Sequence, residues 1–286
     1  MIAAALAAAI AGCGSDDDPD PQREAEGGPT IEDPAAGHVH GLDVDPRGGA
    51  LLVATHTGLF RAAPGESAVE RVGDRYHDLM GFTVAGRGRF LASGHPDGRE
   101  RLPPFLGLVE SRDRGRSWSA VSLQGEVDFH VLEAADDRIY AFGSEYDSRT
   151  ATMRVSGDAG ETWDEVSPPE ALYALAIDPE DPNRAVAAGE QAVHRTGDAG
   201  RTWRPLGAPV GLLAWPDGDA LYSATPDGIV ARSDNGGDSF EQVGELPGEP
   251  AALHAESARV LDVALHDGTI LRSRDGGATW APRASL

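Results

Sequence analysis

Seven of the nine histidines in this 286-residue chain sit at the edges of short apolar segments. His38, His40, His77 and His130 stand where such a segment begins, and His56, His95 and His266 follow one. Asp78, Asp128 and Met80 occupy matching places. Imidazole, carboxylate and thioether together make a ligand set for zinc or copper. Imidazole and carboxylate also serve proton transfer or hydrogen bonding to a sugar. A single histidine in a loop commonly does no more than bond loop backbone. Recurrence at aligned positions is the argument for a shared purpose, and it depends on the elements that position these side chains.

Those elements repeat. The pattern S-x-D-x-G-x-T-W occurs as Ser111-Asp113-Gly115-Ser117-Trp118, Ser156-Asp158-Gly160-Thr162-Trp163 and Thr196-Asp198-Gly200-Thr202-Trp203. It returns as Ser233-Asn235-Gly237-Ser239-Phe240 and Ser273-Asp275-Gly277-Thr279-Trp280. The starts are 45, 40, 37 and 40 residues apart, the length of a four-stranded propeller blade. Gly permits a left-handed turn, the Asp and Ser or Thr side chains bond backbone groups in a tight hairpin, and the aromatic residue packs between blades. Residues 37–73 fit the same four-strand unit (A to D) without the turn motif. Six units over residues 37–286 predict an all-β, six-bladed β-propeller in preference to seven blades.

The motif resembles the Asp-box (BNR repeat) of sialidase-like and sortilin-like propellers. In such a fold the C–D turns lie on the bottom, while strand A entries and B–C loops lie on the top. Seven histidines are thereby expected on the top face. Aligning the A strands on Leu42, Phe82, Leu132, Leu175, Leu212 and Leu253 pairs His40 with His38, Met80 with Asp78, and His130 with Asp128. Residues two apart on a strand share a side. Blades 4 to 6 offer Tyr173, Val210 and Ala251 instead, so the chemistry is off-centre, and ring closure brings His266 beside blade 1. The expectation is one equivalent of Cu or Zn held by His38, His40, His56, His95, His130 and His266, with Met80 as a soft ligand for reduced copper. Ligand-binding roles are further expected for His77, for Arg99 and Arg101 in the long loop from Gly94 to Phe105, and for Tyr146.

Composition narrows the partners. All 24 basic residues are Arg against 47 Asp plus Glu, and the net charge of −23 repels polyphosphate, which excludes nucleic acid. A single Cys excludes a disulfide framework and CxxC sites. That residue, Cys13, ends a small apolar run, Ile10-Ala11-Gly12-Cys13, too short to span a bilayer, which takes about 20 residues. The string resembles the lipobox of bacterial lipoprotein signal peptides, although no Arg or Lys precedes it. The expected organisation is a signal segment over 1–13, an acidic flexible tether over 14–36 and the propeller over 37–286. The resemblance implies lipidation at Cys13, a membrane attachment by that lipid and an extracytoplasmic location. A monomer is expected.

The lipobox, the His-x-His-Gly opening, His77-Asp78-Leu79-Met80-Gly81, Gly94-His95-Pro96 and Asp128-Phe129-His130 together resemble a group of bacterial Asp-box lipoproteins labelled glycosyl hydrolase or exo-sialidase-like. The architecture is also similar to photosystem II assembly-factor-like propellers. Sialidases carry Phe/Tyr-Arg-Ile-Pro and an arginine triad. Here Phe60-Arg61-Ala62-Ala63-Pro64 is the nearest string, and no Arg occupies an aligned strand entry. Two classes follow: a binding propeller for a metal, glycan or small molecule, and a glycoside hydrolase with Asp78 and Asp128 as its carboxyl pair.

Overall fold

The computed structural model describes residues 35–286 apart from residue 87, so Cys13, the lipobox and most of the acidic tether lie outside the described residues. The strands form six four-stranded antiparallel sheets, each laid down in chain order from the inner strand A to the outer strand D. The A strands are Val39–Val44, Asp78–Val84, Val127–Ala135, Leu172–Ile177, Leu212–Ala214 and Pro250–Ala255, and each packs against the next around a ring that closes on the first. The protein is a six-bladed β-propeller. Among the described residues no helix is long and apolar enough to cross a membrane.

The B strands are continuous apolar runs, which suits a strand covered on both faces. Leu51–Thr55, Ala185–Gly189, Leu221–Ala224 and Leu261–Leu265 are buried at every residue. Each core cluster draws on two adjacent blades. Leu51, Val53 and Phe60 of blade 1 pack with Ala264, Ile270 and Ala284 of blade 6 and so close the ring. Arg283 ties the same seam by donating to the carbonyls of Glu66 and Ala63. Ala36 already belongs to this cluster, and Thr57 donates to the Ala35 carbonyl, so blade 1 gathers the two residues before Gly37.

The repeated turn motifs are all C–D hairpins. In the second copy Ser156 accepts from the Gly160 amide at 2.9 Å, and Asp158 accepts from the Thr162 amide and hydroxyl. Gly160 has φ +89°, the left-handed region where a side chain is strained. Trp163 then lies between blades 2 and 3, packed on Phe129 and donating to the Ser122 hydroxyl at 2.9 Å. Asn235 performs the Asp role in the fourth copy, accepting from the Ser239 amide.

A backbone feature invisible in the alignment shapes the top. In five blades strand A carries one extra residue against strand B, a β-bulge. The extra residues are His40, Met80, His130, Tyr173 and Ala251. In blades 2 and 3 the strands approach closely enough at the bulge to require glycine opposite it. A Cβ on Gly94 or on Gly143 would lie 1.9 Å from the carbonyl oxygen of Asp78 or of Asp128, respectively.

Candidate metal centre at the propeller mouth

The bulges in blades 1 and 3 turn His40 and His130 towards the mouth of the central channel, and Asp78 and Asp128 stand two residues before a bulge residue. B strands and B–C loops deliver His56, His95 and His266 to the same rim. The result is a line of side chains across blades 6, 1, 2 and 3. His38 stacks on His266 with ring centroids 4.9 Å apart, and lies 5.3 Å from His40.

His40, His56 and Asp78 form the tightest group. His40 Nε2 is 3.1 Å from His56 Nδ1, His56 Nδ1 is 3.0 Å from Asp78 Oδ1, and His40 Nε2 is 3.4 Å from that same oxygen. Protons cannot satisfy this triangle, because each ring nitrogen carries at most one hydrogen and the carboxylate brings none. A cation can. Bonds of about 2.1 Å at tetrahedral angles set ligand atoms roughly 3.4 Å apart. Among the described residues, this trio alone brings three histidine or carboxylate ligand atoms within 4.8 Å of one another, close enough to hold a metal ion.

The line continues through His95, whose Nδ1 is 3.5 Å from Asp78 Oδ2 and whose Nε2 is 3.4 Å from Asp128 Oδ2. His130 Nε2 reaches the same Asp128 oxygen at 2.8 Å. Burial alone pushes the Asp78 carboxyl up, but hydrogen bonds from His40, His95 and His56 outweigh it and hold the group well below the usual range. Hydrogen bonding to the two carboxylates raises His95 and His130. His38 is lowered by burial and by its imidazole neighbours.

The other expected residues are placed differently. Met80 lines the central cavity of about 120 Å³ together with His40, His130 and Tyr173. His77 is buried at 4% exposure, away from the rim line, where its Nδ1 accepts the Asp97 amide at 3.0 Å and anchors the long loop. Arg99 grips both oxygens of Asp97 and covers the Tyr76 ring at 3.8 Å, so its guanidinium braces the loop. Arg101 is exposed on that loop. Tyr146 is exposed and meets Phe105 edge-on at 5.3 Å, and Phe105 in turn meets His95 at 5.5 Å. Phe105 thus flanks the site, a role its sequence position did not signal. Glu133 was also missed. It lines the channel below His130, and burial with the nearby Asp43 pushes its carboxyl up to about 8.

Fold and site together define a six-bladed propeller with a histidine–carboxylate rim on one sector of its mouth. No protein-family model matches the chain, and no curated protein does. Solved structures do. The GH74 xyloglucanase from Xanthomonas campestris aligns with 86% of this chain at 18% identity and a TM-score of 0.58. An ancestral GH74 enzyme aligns at 16% and 0.56. The chain spans 45% and 37% of their lengths, less than half of either enzyme. YCF48 from Cyanidioschyzon merolae aligns over 87% of this chain and 85% of its own, at 13% identity and TM-score 0.52. A YCF48 structure bound to D1 peptide aligns over 87% and 82%, at 17% identity and 0.55. At these identities the likeness defines a β-propeller fold and nothing finer.

Proposed function

We propose that this propeller binds a divalent transition metal, zinc or copper, at its top face through His40, His56 and Asp78. The observation that carries the reading is the triangle of ligand atoms 3.0 to 3.4 Å apart. It supports an ion because hydrogen atoms cannot fill all three edges. Elements from two blades present the ligands, with His40 on a strand held by the core, as a preorganised site requires. Copper binds such donors more tightly than zinc.

The hydrolase reading is weaker. A glycosidase holds the scissile bond between its two carboxyl groups. Here the His95 ring stands between Asp78 and Asp128. The lipid anchor at Cys13 belongs to the same proposal, as a tether for an extracytoplasmic metal binder. Cys13→Ser should release the protein from the membrane fraction, and unchanged fractionation refutes the anchor.

The metal reading is tested by calorimetry on the metal-free full chain with Zn(II) and Cu(II). Tight uptake is expected for both, with a higher melting temperature. The double variant His40→Ala, His56→Ala should lose it. Absence of a tight site for either ion in the wild-type chain overturns the reading.

A further inference from the structure

We propose that His95 is a positioning residue that decides which ion the mouth accepts. It occupies one oxygen of Asp78, so the carboxylate meets the ion through the other oxygen alone. This inference rests on His40, His56 and Asp78 forming a metal site. It starts from how Asp78 divides its oxygens. Oδ1 faces His40 and His56 at 3.4 and 3.0 Å, whereas Oδ2 faces His95 Nδ1 at 3.5 Å. The other ring nitrogen of His95, Nε2, stands 3.4 Å from Asp128 Oδ2. An imidazole nitrogen that bonds a carboxylate does so through its N–H. Both nitrogens of His95 are turned to carboxylates, and neither is left for the ion.

Blades 2 and 3 are built to hold the ring there. Asp128 is 3% exposed, and its Oδ2 also meets His130 Nε2 at 2.8 Å. The following residue, Phe129, donates its amide to the Ser93 hydroxyl at 2.9 Å. Ser93 and His95 share strand B of blade 2, Phe90–His95, so the strands carrying the ring and its anchor are tied across the blade boundary. Phe105 meets His95 edge-on at 5.5 Å. Its loop is fastened near both ends, by the Leu106 amide on the Gly94 carbonyl at 2.9 Å and by the Asp97 amide on His77.

The consequence is selectivity. A group that bonds a metal ligand and fixes its orientation typically contributes about 10–100-fold in metal affinity. Two imidazoles and a single carboxylate oxygen suit a four-coordinate ion such as zinc. Manganese and calcium favour oxygen donors, and calcium readily takes both oxygens of one carboxylate. With Oδ2 held by His95, Asp78 denies such ions their second oxygen.

Calorimetry with Zn(II) and Mn(II) on the metal-free full chain tests this, with metal-free melting temperatures to verify folding. His95→Leu, at a half-exposed position, should weaken zinc about 30-fold and leave manganese within about threefold, so the preference narrows at least tenfold. His95→Asn keeps an N–H donor near the place of Nδ1 and should bring zinc back to within about threefold of wild type. Asp128→Asn should weaken zinc by less than His95→Leu does. It should add nothing when the two are combined, because it acts through that ring. Equal losses of zinc and manganese in His95→Leu, or zinc affinity unchanged there, overturn the positioning role and leave the metal site standing. So does complete loss of zinc in a folded His95→Leu, which would make the ring a ligand. A wild-type chain that takes up no zinc overturns both.

Discussion

Blades 1 to 3 and blades 4 to 6 share a skeleton but not a surface. The same bulge that presents His40, Met80 and His130 presents Tyr173 in blade 4 and Ala251 in blade 6, and blade 5 has no bulge. The positions preceding them carry His38, Asp78 and Asp128 on one side, Ala171 and Glu249 on the other. The backbone device is therefore general to the repeat, and the chemistry is written onto only half of it. Bulges next to functional sites re-aim side chains. Here they supply the aim in advance, and the side chain at the bulge decides whether anything binds.

The largest expected effect breaks the skeleton beneath the site. Gly94 has φ +137° and its missing Cβ would meet the Asp78 carbonyl. Gly94→Ala should cost on the order of 3–4 kcal/mol and abolish metal uptake, since strain and steric conflict act together there. Gly207, with nothing within 4 Å of its would-be Cβ, is the internal control and should change neither. Equal melting temperatures for the two variants would sink the account of the bulge.

Next comes a break on the opposite face. Trp163→Ala removes an inter-blade side chain and should destabilise by roughly 3 kcal/mol, as large-to-small changes at such sites do. Metal stoichiometry per folded molecule should stay at the wild-type value. A stable variant with a selective loss of metal would mean that the turn motifs take part in the site.

Much of this was legible in the sequence. Five copies of one turn motif fix the blade period, and alignment of apolar strand residues finds His40, His130, Asp78 and Asp128 on one sector. Other features were not legible. The bulge is a backbone event, with Gly94 opposite Leu79 and Gly143 opposite Phe129 leaving room for it in blades 2 and 3, and no side-chain pattern announces it. Arg99 reads as a free cation for an anionic ligand, yet Asp97 lies two residues before it and captures it. His77 reads as a rim residue because it borders a strand, while its buried ring serves the Asp97 amide. Alternation tells which side a residue faces, and not which partner reaches it first.

A smaller effect sharpens the comparison between sectors. His56→Ala should weaken metal binding on the order of 100-fold, about 2.7 kcal/mol, through loss of one ligand of three. Tyr173→Ala, at the equivalent bulge position to His40 but in blade 4, should leave affinity within about twofold. Comparable losses in both variants would place the ion over the central channel rather than on the rim.

The smallest expected effect concerns depth within the mouth. Asp78 has imidazoles to hold its charge, whereas Glu133 below it has Thr83 and the acidic Asp43, and its carboxyl is pushed up to about 8 from 4.5. The folded protein keeps Glu133 protonated up to that value, while the unfolded chain releases the proton above about 4.5. Its contribution to stability is therefore fullest below pH 4.5 and is lost as pH rises towards 8. Glu133→Gln, which keeps the shape and removes the ionisation, should match the metal-free wild type at pH 4. At pH 8.5 it should exceed wild type by on the order of 1–2 kcal/mol, less than the full shift implies because the channel admits water. Thermal denaturation of both proteins from pH 4 to 9 checks this. Parallel curves would show that Glu133 ionises without cost, and that the channel is as well solvated as the rim.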